Sequence, residues 1–180
     1  MTRRNSLFPP RPVAPGRLTA LLLVALFTLL PLRSARADDI AARFLSVIDG
    51  DSLRVEYRGD ALVVRLIGVD APEYKQEYSR KAKEFTLGFC HRKTLRLEFD
   101  QERRDRYGRT LAYVYADGEM LNEELVRAGL AIPIRIKPNT RYFARFQQAE
   151  KEAKEKRRGF WIKGGLDMTP AQWRKTHPRK

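Results

Sequence analysis

Three short segments early in the chain alternate apolar and polar side chains, and turns rich in glycine and aspartate separate them. Residues 42–48 lead into a turn at 49–51, residues 52–57 follow, and a second turn at 58–60 leads into residues 61–67. This alternation is typical of half-buried strands, and Gly/Asp turns are typical of hairpins. The pattern therefore predicts three consecutive antiparallel strands.

The rest of the chain predicts two more strands and three helices, in the order helix, two strands, helix, helix. Five short strands with a helix after the third favour a Greek-key barrel of the OB type over a sandwich, so the predicted class is α+β and mainly β. The predicted elements are a helix with an apolar stripe over residues 82–89, strands at 94–99 and 110–115, a short helix capped by Asn122 and stopped by Gly129, and a helix from 138–140 to Gly159.

The first 37 residues have the pattern of a secretory signal peptide. Four arginines precede an apolar run from Leu18 to Leu32, and this run of 15 residues is shorter than the roughly 20 residues of a membrane span. An A-x-A cleavage site then ends at Ala37. We expect cleavage before Asp38 and an exported protein, periplasmic or secreted, with an uncleaved membrane anchor as the alternative. A folded domain over 38–165 and a loosely ordered basic tail over 166–180 would follow.

Charge and cysteine content limit the function only loosely. Residues 1–37 carry six arginines and no acids, so the remaining chain has 30 basic and 22 acidic residues, a net charge of +8. Such a surplus favours a polyanionic partner. Cys90 is the only cysteine, which excludes an internal disulfide, and we expect it in the core that must hold the domain together.

Four acids near two turns are candidates for binding a hard cation. Asp49 and Asp51 flank a glycine in the first turn, while Asp70 and Glu73 follow the third strand on either side of a proline. Carboxylates so placed can converge on one cation, because calcium prefers oxygen ligands that include backbone carbonyls and water. Taken alone, the pattern also suits ordinary Asp-Gly-Asp turns without a ligand.

Two arginines stand out beside these acids. Arg65 lies in an apolar strand, where a guanidinium is costly unless an acid or an anion meets it. Its partner is therefore Asp51, Asp70 or Glu73, or a bound phosphate. Arg109 follows Tyr107-Gly108, a pair that permits a sharp turn. It belongs either to a surface turn or to a site that grips phosphate oxygens in pairs.

Four segments together resemble the staphylococcal nuclease (thermonuclease) family. The resemblance covers most of residues 44–161, with the motifs in the family's order. The segments are residues 47–53 (VIDGDSL), 65–73 (RLIGVDAPE), 105–113 (DRYGRTLAY) and 121–131 (LNEELVRAGLA).

The resemblance implies a nuclease domain over 38–165 that cleaves the 5′ P–O bond of DNA and RNA, with one Ca²⁺ ion as cofactor. It implies no stable protein partner, no membrane contact after signal cleavage, and a monomer. The implied roles are metal binding for Asp51, Asp70 and the carbonyl of Ala71, support of the metal for Asp49, general base for Glu73, phosphate binding and transition-state stabilisation for Arg65 and Arg109, and contact with the nucleotide for Arg106 and Tyr107.

The sequence departs from the family at three places. Ala71 stands where the family often has threonine, the loop at 74–80 is short, and Arg135 and Lys137 stand where the type enzyme has tyrosines beside the base. We expect Arg135 to contact the substrate backbone. The rival interpretation is a non-catalytic OB module that binds nucleic acid or protein, and a nuclease that uses another metal also stays open.

Overall fold

The computed structural model describes residues 39–178. The predicted signal peptide at 1–37 lies outside the described residues. Within 39–178, no helix combines the length and the apolar character that crossing a membrane requires.

The strands agree with the predicted segments to within one or two residues, and three two-residue strands are added to them. The strands are β1 (Ile40–Asp49), β2 (Ser52–Tyr57), β3 (Asp60–Leu66), β4 (Val69–Asp70), β5 (Thr94–Glu98), β6 (Thr110–Ala116), β7 (Glu119–Met120) and β8 (Ile132–Pro133). The helices are α1 (Ser79–Cys90), α2 (Leu121–Arg127), α3 (Phe143–Glu155), a 3-10 helix (Gly159–Lys163) and α4 (Pro170–Thr176).

Five strands close into a barrel, which confirms the predicted fold class. The strands pair in the order β3-β2-β1-β5-β6, with β7 beyond β6, and a parallel pairing of β3 with β6 completes the ring. Closure leaves these strands without the free edges that favour aggregation. The two short strands β4 and β8 form a separate antiparallel pair.

β1 serves two neighbours because bulges bend it. Its first half pairs with β5, while its second half pairs with β2, where the register shifts between Phe44 and Ser46 and again between Val47 and Asp49. A bulge adds an unpaired residue and increases the local twist. The strand therefore curves around the barrel and delivers the turn after Asp49 to one end of it.

The barrel interior and the helical layer share one hydrophobic core. Leu53 and Val55 of β2 are fully buried, as the alternation in the sequence predicts, and Cys90 is a buried free thiol at the end of α1. α2 packs between β6 and α3. On α3 the buried side chains are Phe146, Ala149 and Ala153, whose helical spacing places them on one face.

Three predicted details are wrong. Asn122 does not cap α2, which starts one residue earlier. Instead, its buried amide accepts from the backbone N–H of Val114 and donates to the carbonyl of Ile67, tying the helix to the barrel. α3 covers only Phe143–Glu155, shorter at both ends than predicted. The tail is not loosely ordered throughout, because α4 forms within it.

Candidate active site

The turn between β1 and β2 is pressed against the first helix and the loop after β4. A Cβ atom on Gly50 would lie 2.7 Å from the Cβ atoms of both Ala71 and Ala82, far closer than side chains tolerate. The hydroxyl of Thr86 in α1 also donates to the Gly50 carbonyl at 2.6 Å. Only glycine permits this approach, so the residue sets the position of its neighbour Asp51.

Asp51 is buried and its carboxylate faces the following loop. Its Oδ2 accepts from the backbone N–H of Ala71 at 2.7 Å, and its Oδ1 accepts from the hydroxyl of Ser52 at 3.1 Å. Asp49 accepts from the backbone N–H of Asp51 at 3.2 Å, which stiffens the turn. The predicted supporting position of Asp49 beside Asp51 therefore has a geometric basis in this hydrogen bond.

Arg65 joins the two predicted metal-binding acids. Its Nη2 lies 3.0 Å from Asp51 Oδ2 and 3.2 Å from Asp70 Oδ1. Its Nη1 donates to the carbonyls of Leu66 and Val69, each at 2.9 Å, so the guanidinium is held in one orientation. Asp51 from the β1–β2 turn and Asp70 from β4 thus meet at one nitrogen atom of Arg65, which lies in β3.

The short pair of β4 with β8 orients Asp70. Asp70 is paired with Ile132 and its side chain is only 2% exposed. Because β4 has just two residues and β8 comes from a distant part of the chain, no local pattern in the sequence predicts this pairing. Burying the Asp70 carboxylate is costly, and the guanidinium groups that contact its oxygens offset that cost.

Burial raises the pKa of the Asp51 carboxyl above its ordinary value. The positive charge of Arg65 opposes this shift, while the negative charge of Asp49 adds to it. The carboxylate of Asp51 is therefore destabilised in the folded protein, and a bound cation would relieve that cost.

The loop after Asp70 holds Glu73 beside the acids. The side chain of Gln76 accepts from the backbone N–H of Glu73 at 3.0 Å, and the backbone N–H of Gln76 donates to the Glu73 carbonyl at 2.8 Å. Gln76 is itself buried, with 6% of its surface exposed. These bonds fix the loop that carries the predicted base.

Arg174, which the sequence analysis did not single out, completes the cluster. Its Nη1 and Nη2 donate to the two oxygens of Asp70 at 3.0 and 2.9 Å, and its Nη1 also donates to Glu73 Oε1 at 2.6 Å. Hydrogen bonds to Asp70 raise the pKa of the Arg174 guanidinium. Partial burial opposes this shift, and the hydrogen bond to Glu73 adds to it. The capping-box pattern at residues 169–172 could have predicted α4, but nothing local predicts a contact with an acid 104 positions away.

Arg109 immediately precedes β6, the strand that pairs with β3. In that parallel pairing Arg65 is opposite Leu111, two residues after Arg109. In this structure the Arg109 Nε donates to Asp105 Oδ2 at 2.7 Å, within a turn that Asp105 also holds through the backbone N–H groups of Tyr107 and Arg109. Hydrogen bonds from Arg109 and Tyr107, against the effect of burial, lower the pKa of Asp105.

The predicted substrate-binding residues lie on the surface. Tyr107 is 68% exposed, and its hydroxyl accepts from Arg106 at 2.6 Å. The Arg109 guanidinium also lies over the Tyr107 ring, 5.6 Å from its centre. Arg135 is exposed near Phe143, in the segment that follows β8. Each is available to a ligand.

The donor set of the site is made of oxygen atoms. Among residues 39–178, no group of three or more His, Cys, Asp or Glu side chains is arranged to hold a metal ion. The site offers instead two converging carboxylates, Asp51 and Asp70, with the backbone carbonyl of Ala71 next in the chain. Oxygen donors of mixed type fit a hard cation such as Ca²⁺, whose remaining positions water can fill.

Comparison with known proteins agrees with this geometry. The family described as "Staphylococcal nuclease homologue" matches residues 63–163. A thermonuclease of Staphylococcus hyicus is 39% identical over 140 residues, which are 73% of this chain and 83% of that protein. Endonuclease YncB of Bacillus subtilis is 41% identical over 126 residues, 66% of this chain and 60% of that protein. A thermonuclease of Staphylococcus intermedius is 42% identical over 121 residues, 64% of this chain and 72% of that protein.

A closed barrel with acids and arginines at one end, together with these relatives, defines a nuclease, a hydrolase of phosphodiester bonds. The particular family is equally plain. The chain belongs to the staphylococcal nuclease family.

Proposed function

We propose that this nuclease is exported, depends on Ca²⁺, and hydrolyses DNA and RNA at the 5′ P–O bond to leave 3′-phosphates. One observation carries the proposal: the guanidinium of Arg65 lies within 3.2 Å of both Asp51 and Asp70, residues that the chain separates by 19 positions. Two convergent carboxylates can hold a cation, and an arginine beside them can bind the phosphate, which together supply the charge stabilisation that phosphodiester cleavage needs.

The proposed cation site consists of Asp51, Asp70 and the carbonyl of Ala71, with Asp49 holding the turn from behind. The chemistry that a bound Ca²⁺ supplies is positive charge beside the phosphate oxygens. Members of the family are metal-dependent, which supports a metal in this role.

In the proposed reaction, Glu73 takes a proton from a water molecule as the water oxygen forms a bond to phosphorus. The bond between phosphorus and the 5′ oxygen breaks, and its electron pair stays on that oxygen, which takes a proton from solvent. Glu73 then returns its own proton to solvent. The products are a 3′-phosphate and a 5′-hydroxyl.

Arg65 and Arg109 would bind the phosphate oxygens as negative charge builds up on them. A guanidinium presents paired donors that match two oxygens of one phosphate, which suits it to a trigonal-bipyramidal transition state. Arg65 is held in place by two backbone carbonyls before substrate arrives. Arg109 pairs with Asp105, and the proposal requires its Nη atoms to turn toward the phosphate while its Nε keeps that bond.

Substrate contacts beyond the scissile phosphate would come from exposed residues. Tyr107 offers a ring on which a base can stack, and Arg106 and Arg135 offer charge to the backbone. Surface charge without base-specific contacts accounts for activity on both DNA and RNA.

A labelled single-stranded oligonucleotide tests the proposal most directly. We expect cleavage in Ca²⁺, loss of cleavage in EGTA, recovery when Ca²⁺ is added back, and products that end in 3′-phosphate. Glu73→Gln should lower the cleavage rate about 10²–10⁴-fold. A titration with Mg²⁺, Mn²⁺ and Zn²⁺ on the same substrate separates a Ca²⁺ enzyme from one that uses another metal.

Two outcomes would overturn parts of the proposal. A protein that retards DNA in a gel yet never cuts it in any of these metals is the non-catalytic binding module considered above. Export is tested separately by mass spectrometry of the protein recovered outside the cytoplasm. Its mass should be that of a chain that begins at Asp38. A mature mass that includes residues 1–37 would indicate a retained anchor. Light scattering of that mature protein checks the proposed monomer.

A further inference from the structure

The segment that follows the 3-10 helix returns across the loop that carries Glu73. We call residues 164–177 the C-terminal arm. Gly164 adopts φ 88°, which reverses the chain, and a capping box between Thr169 and Gln172 then starts α4. The side chain of Gln76 donates to the carbonyl of Met168 at 2.7 Å. The arm is therefore attached to the same buried glutamine that fixes the Glu73 loop.

The arm places the guanidinium of Arg174 against two acids of the proposed active site. Arg174 takes both carboxylate oxygens of Asp70 and one of Glu73, at distances from 2.6 to 3.0 Å. Asp70 Oδ1 also accepts from Arg65 at 3.2 Å. Asp70 consequently holds two guanidiniums at once, one from the barrel and one from the arm.

Arg174 competes for the atoms that the proposed mechanism needs. A cation bound to Asp70 requires oxygen lone pairs that Arg174 now uses, and a base at Glu73 must be free of a charged donor to accept a proton. A Ca²⁺ ion on these oxygens would also repel the Arg174 guanidinium bonded to them. Cation binding and the arm contact must therefore weaken each other, and the coupling acts equally in both directions.

The arm is held to the rest of the protein only weakly. The side chain of Arg174 is 45% exposed, whereas that of Arg65 is 13% exposed, so solvent screens the arm contact far more. α4 has seven residues, of which only Pro170 is buried, and a helix this short is marginal without packing. The arm also lies beyond residues 63–163, the part of the chain that matches the family.

We propose that the C-terminal arm is an autoinhibitory latch, in which Arg174 occupies Asp70 and Glu73 until Ca²⁺ displaces it. The inference rests on the proposed function, because it takes these acids as the cation site and the base. The latch raises the Ca²⁺ concentration at which the enzyme becomes active. In an exported enzyme it would keep the acids covered wherever Ca²⁺ is scarce.

The test measures Ca²⁺ binding by calorimetry in the absence of nucleic acid. Arg174→Gln should tighten Ca²⁺ binding roughly three- to tenfold, the effect of removing a partly exposed competing charge. Lys175→Gln is the matched control, since it removes the same charge from the next residue of α4, and it should change the affinity less than twofold. Arg174→Lys, which keeps the charge but loses the paired donors, should fall between them.

Movement of the arm gives a second readout. Trp173 lies next to Arg174 and stacks on His177 with 3.8 Å between ring centres, so its fluorescence reports on the arm. In a Trp161→Phe background, Ca²⁺ should change Trp173 emission with the same midpoint as the calorimetric binding. In Arg174→Gln the emission should already resemble the Ca²⁺-bound form, and thermal melting should verify that each variant is folded.

The outcomes separate the latch from the proposed function. The latch is overturned if Arg174→Gln binds Ca²⁺ no more tightly than wild type, or if Trp173 emission does not change when Ca²⁺ binds. Either result overturns it even if Ca²⁺-dependent cleavage is intact. Tighter binding in Arg174→Gln with no cleavage of any nucleic acid supports the latch and overturns the nuclease mechanism. If neither the wild-type protein nor Arg174→Gln binds Ca²⁺, the latch and the proposed dependence on Ca²⁺ both fail.

Discussion

Two acid–arginine clusters in this barrel solve the same electrostatic problem differently. The active-site cluster contains Asp51, Asp70 and Glu73 with Arg65 and Arg174. The second, here called the β5 cluster, contains Glu98 and Asp100 at the end of β5 with Arg96, Arg141, Tyr113 and Tyr142. Glu98 accepts from Tyr142 and from Arg141, each at 2.7 Å, and Asp100 accepts from Tyr113 at 2.8 Å.

The pKa values of Glu98 and Asp51, one acid from each cluster, move in opposite directions. Burial works to raise the pKa of Glu98, but hydrogen bonds from Tyr142, Arg141 and Arg96 outweigh it, and the pKa is lowered. Burial also raises the pKa of Asp51, and there Arg65 does not outweigh it. The β5 cluster is compensated by its own residues, while the active-site cluster is left short of positive charge.

This contrast distinguishes an ion network that holds the fold from one that is prepared for a ligand. In the β5 cluster, Arg141 and Tyr142, which directly precede α3, hold the start of that helix to the barrel. In the active-site cluster, the buried carboxylate of Asp51 lowers stability, and the proposed cation would relieve that cost, a balance often found at functional sites.

The sharpest way to break the comparison is to remove one arginine from each cluster. Arg65→Gln should lower kcat/KM for an oligonucleotide by about 10³–10⁵, the range seen for arginines that stabilise a transferring phosphoryl group. Arg141→Gln should leave kcat/KM per folded molecule within about threefold of wild type, because it touches only the β5 cluster. Comparable losses in both variants would show that the two clusters are not functionally distinct.

The same pair should differ in stability. Arg141→Gln should lower the free energy of unfolding by about 1.5–3 kcal/mol, since Glu98 loses a charged donor and Asp100 a nearby cation. Arg145→Gln, in α3 four residues after Arg141 and half exposed in its pair with Glu123, should cost less than about 1 kcal/mol. Urea denaturation followed by circular dichroism measures both. An Arg145 variant as unstable as the Arg141 variant contradicts the role given to the β5 cluster.

A third test addresses how the active-site cluster is positioned. Gly50→Ala should cost about 1–3 kcal/mol and most of the activity, because the new methyl would overlap Ala71 and Ala82 at 2.7 Å. Gly88→Ala, in the exposed part of α1 with open space around it, should instead stabilise the protein by about 0.5–1 kcal/mol. Thermal melting and an oligonucleotide assay on both proteins decide the matter. An active, stable Gly50→Ala protein would show that the turn does not position Asp51.

The smallest expected effect concerns the exposed surface. Arg135→Ala should raise KM about three- to tenfold with kcat unchanged, and it should reduce the dependence of log KM on log salt by about 0.7 for single strands. Lys151→Ala, an exposed lysine in a surface pair with Glu155, is the control and should change neither quantity. A change in kcat rather than KM would place Arg135 in the chemistry instead of in substrate binding.

Local patterns predicted the strands of the barrel better than they predicted helix ends. Alternation and turn residues located β1, β2 and β3 because strand period and hairpin geometry are local properties. Asn122 was misread as a cap for a physical reason: an amide that can cap a helix can equally bond two distant strands, and the fold chose the second. The choice depends on Ile67 and Val114, which the local sequence does not place beside it.

The roles assigned to the site residues remain predictions, whereas the proximity of Arg65, Asp51 and Asp70 is observed. The motifs pointed to Arg65, Asp51 and Asp70, and the structure brings those three together. Arg174 was missed because an arginine in a basic tail is indistinguishable by sequence from its neighbours.

The amino-acid sequence by itself determined which segments become strands, which glycine must sit in the tight turn, and which acids and arginines are available. Those properties follow from side-chain size, period and charge, which act over a few residues. The tertiary structure alone decided that β4 pairs with β8, that β3 closes on β6, and that the arm returns to cover Asp70 and Glu73. These contacts depend on closing long loops, and their energy is known only once the whole chain has folded.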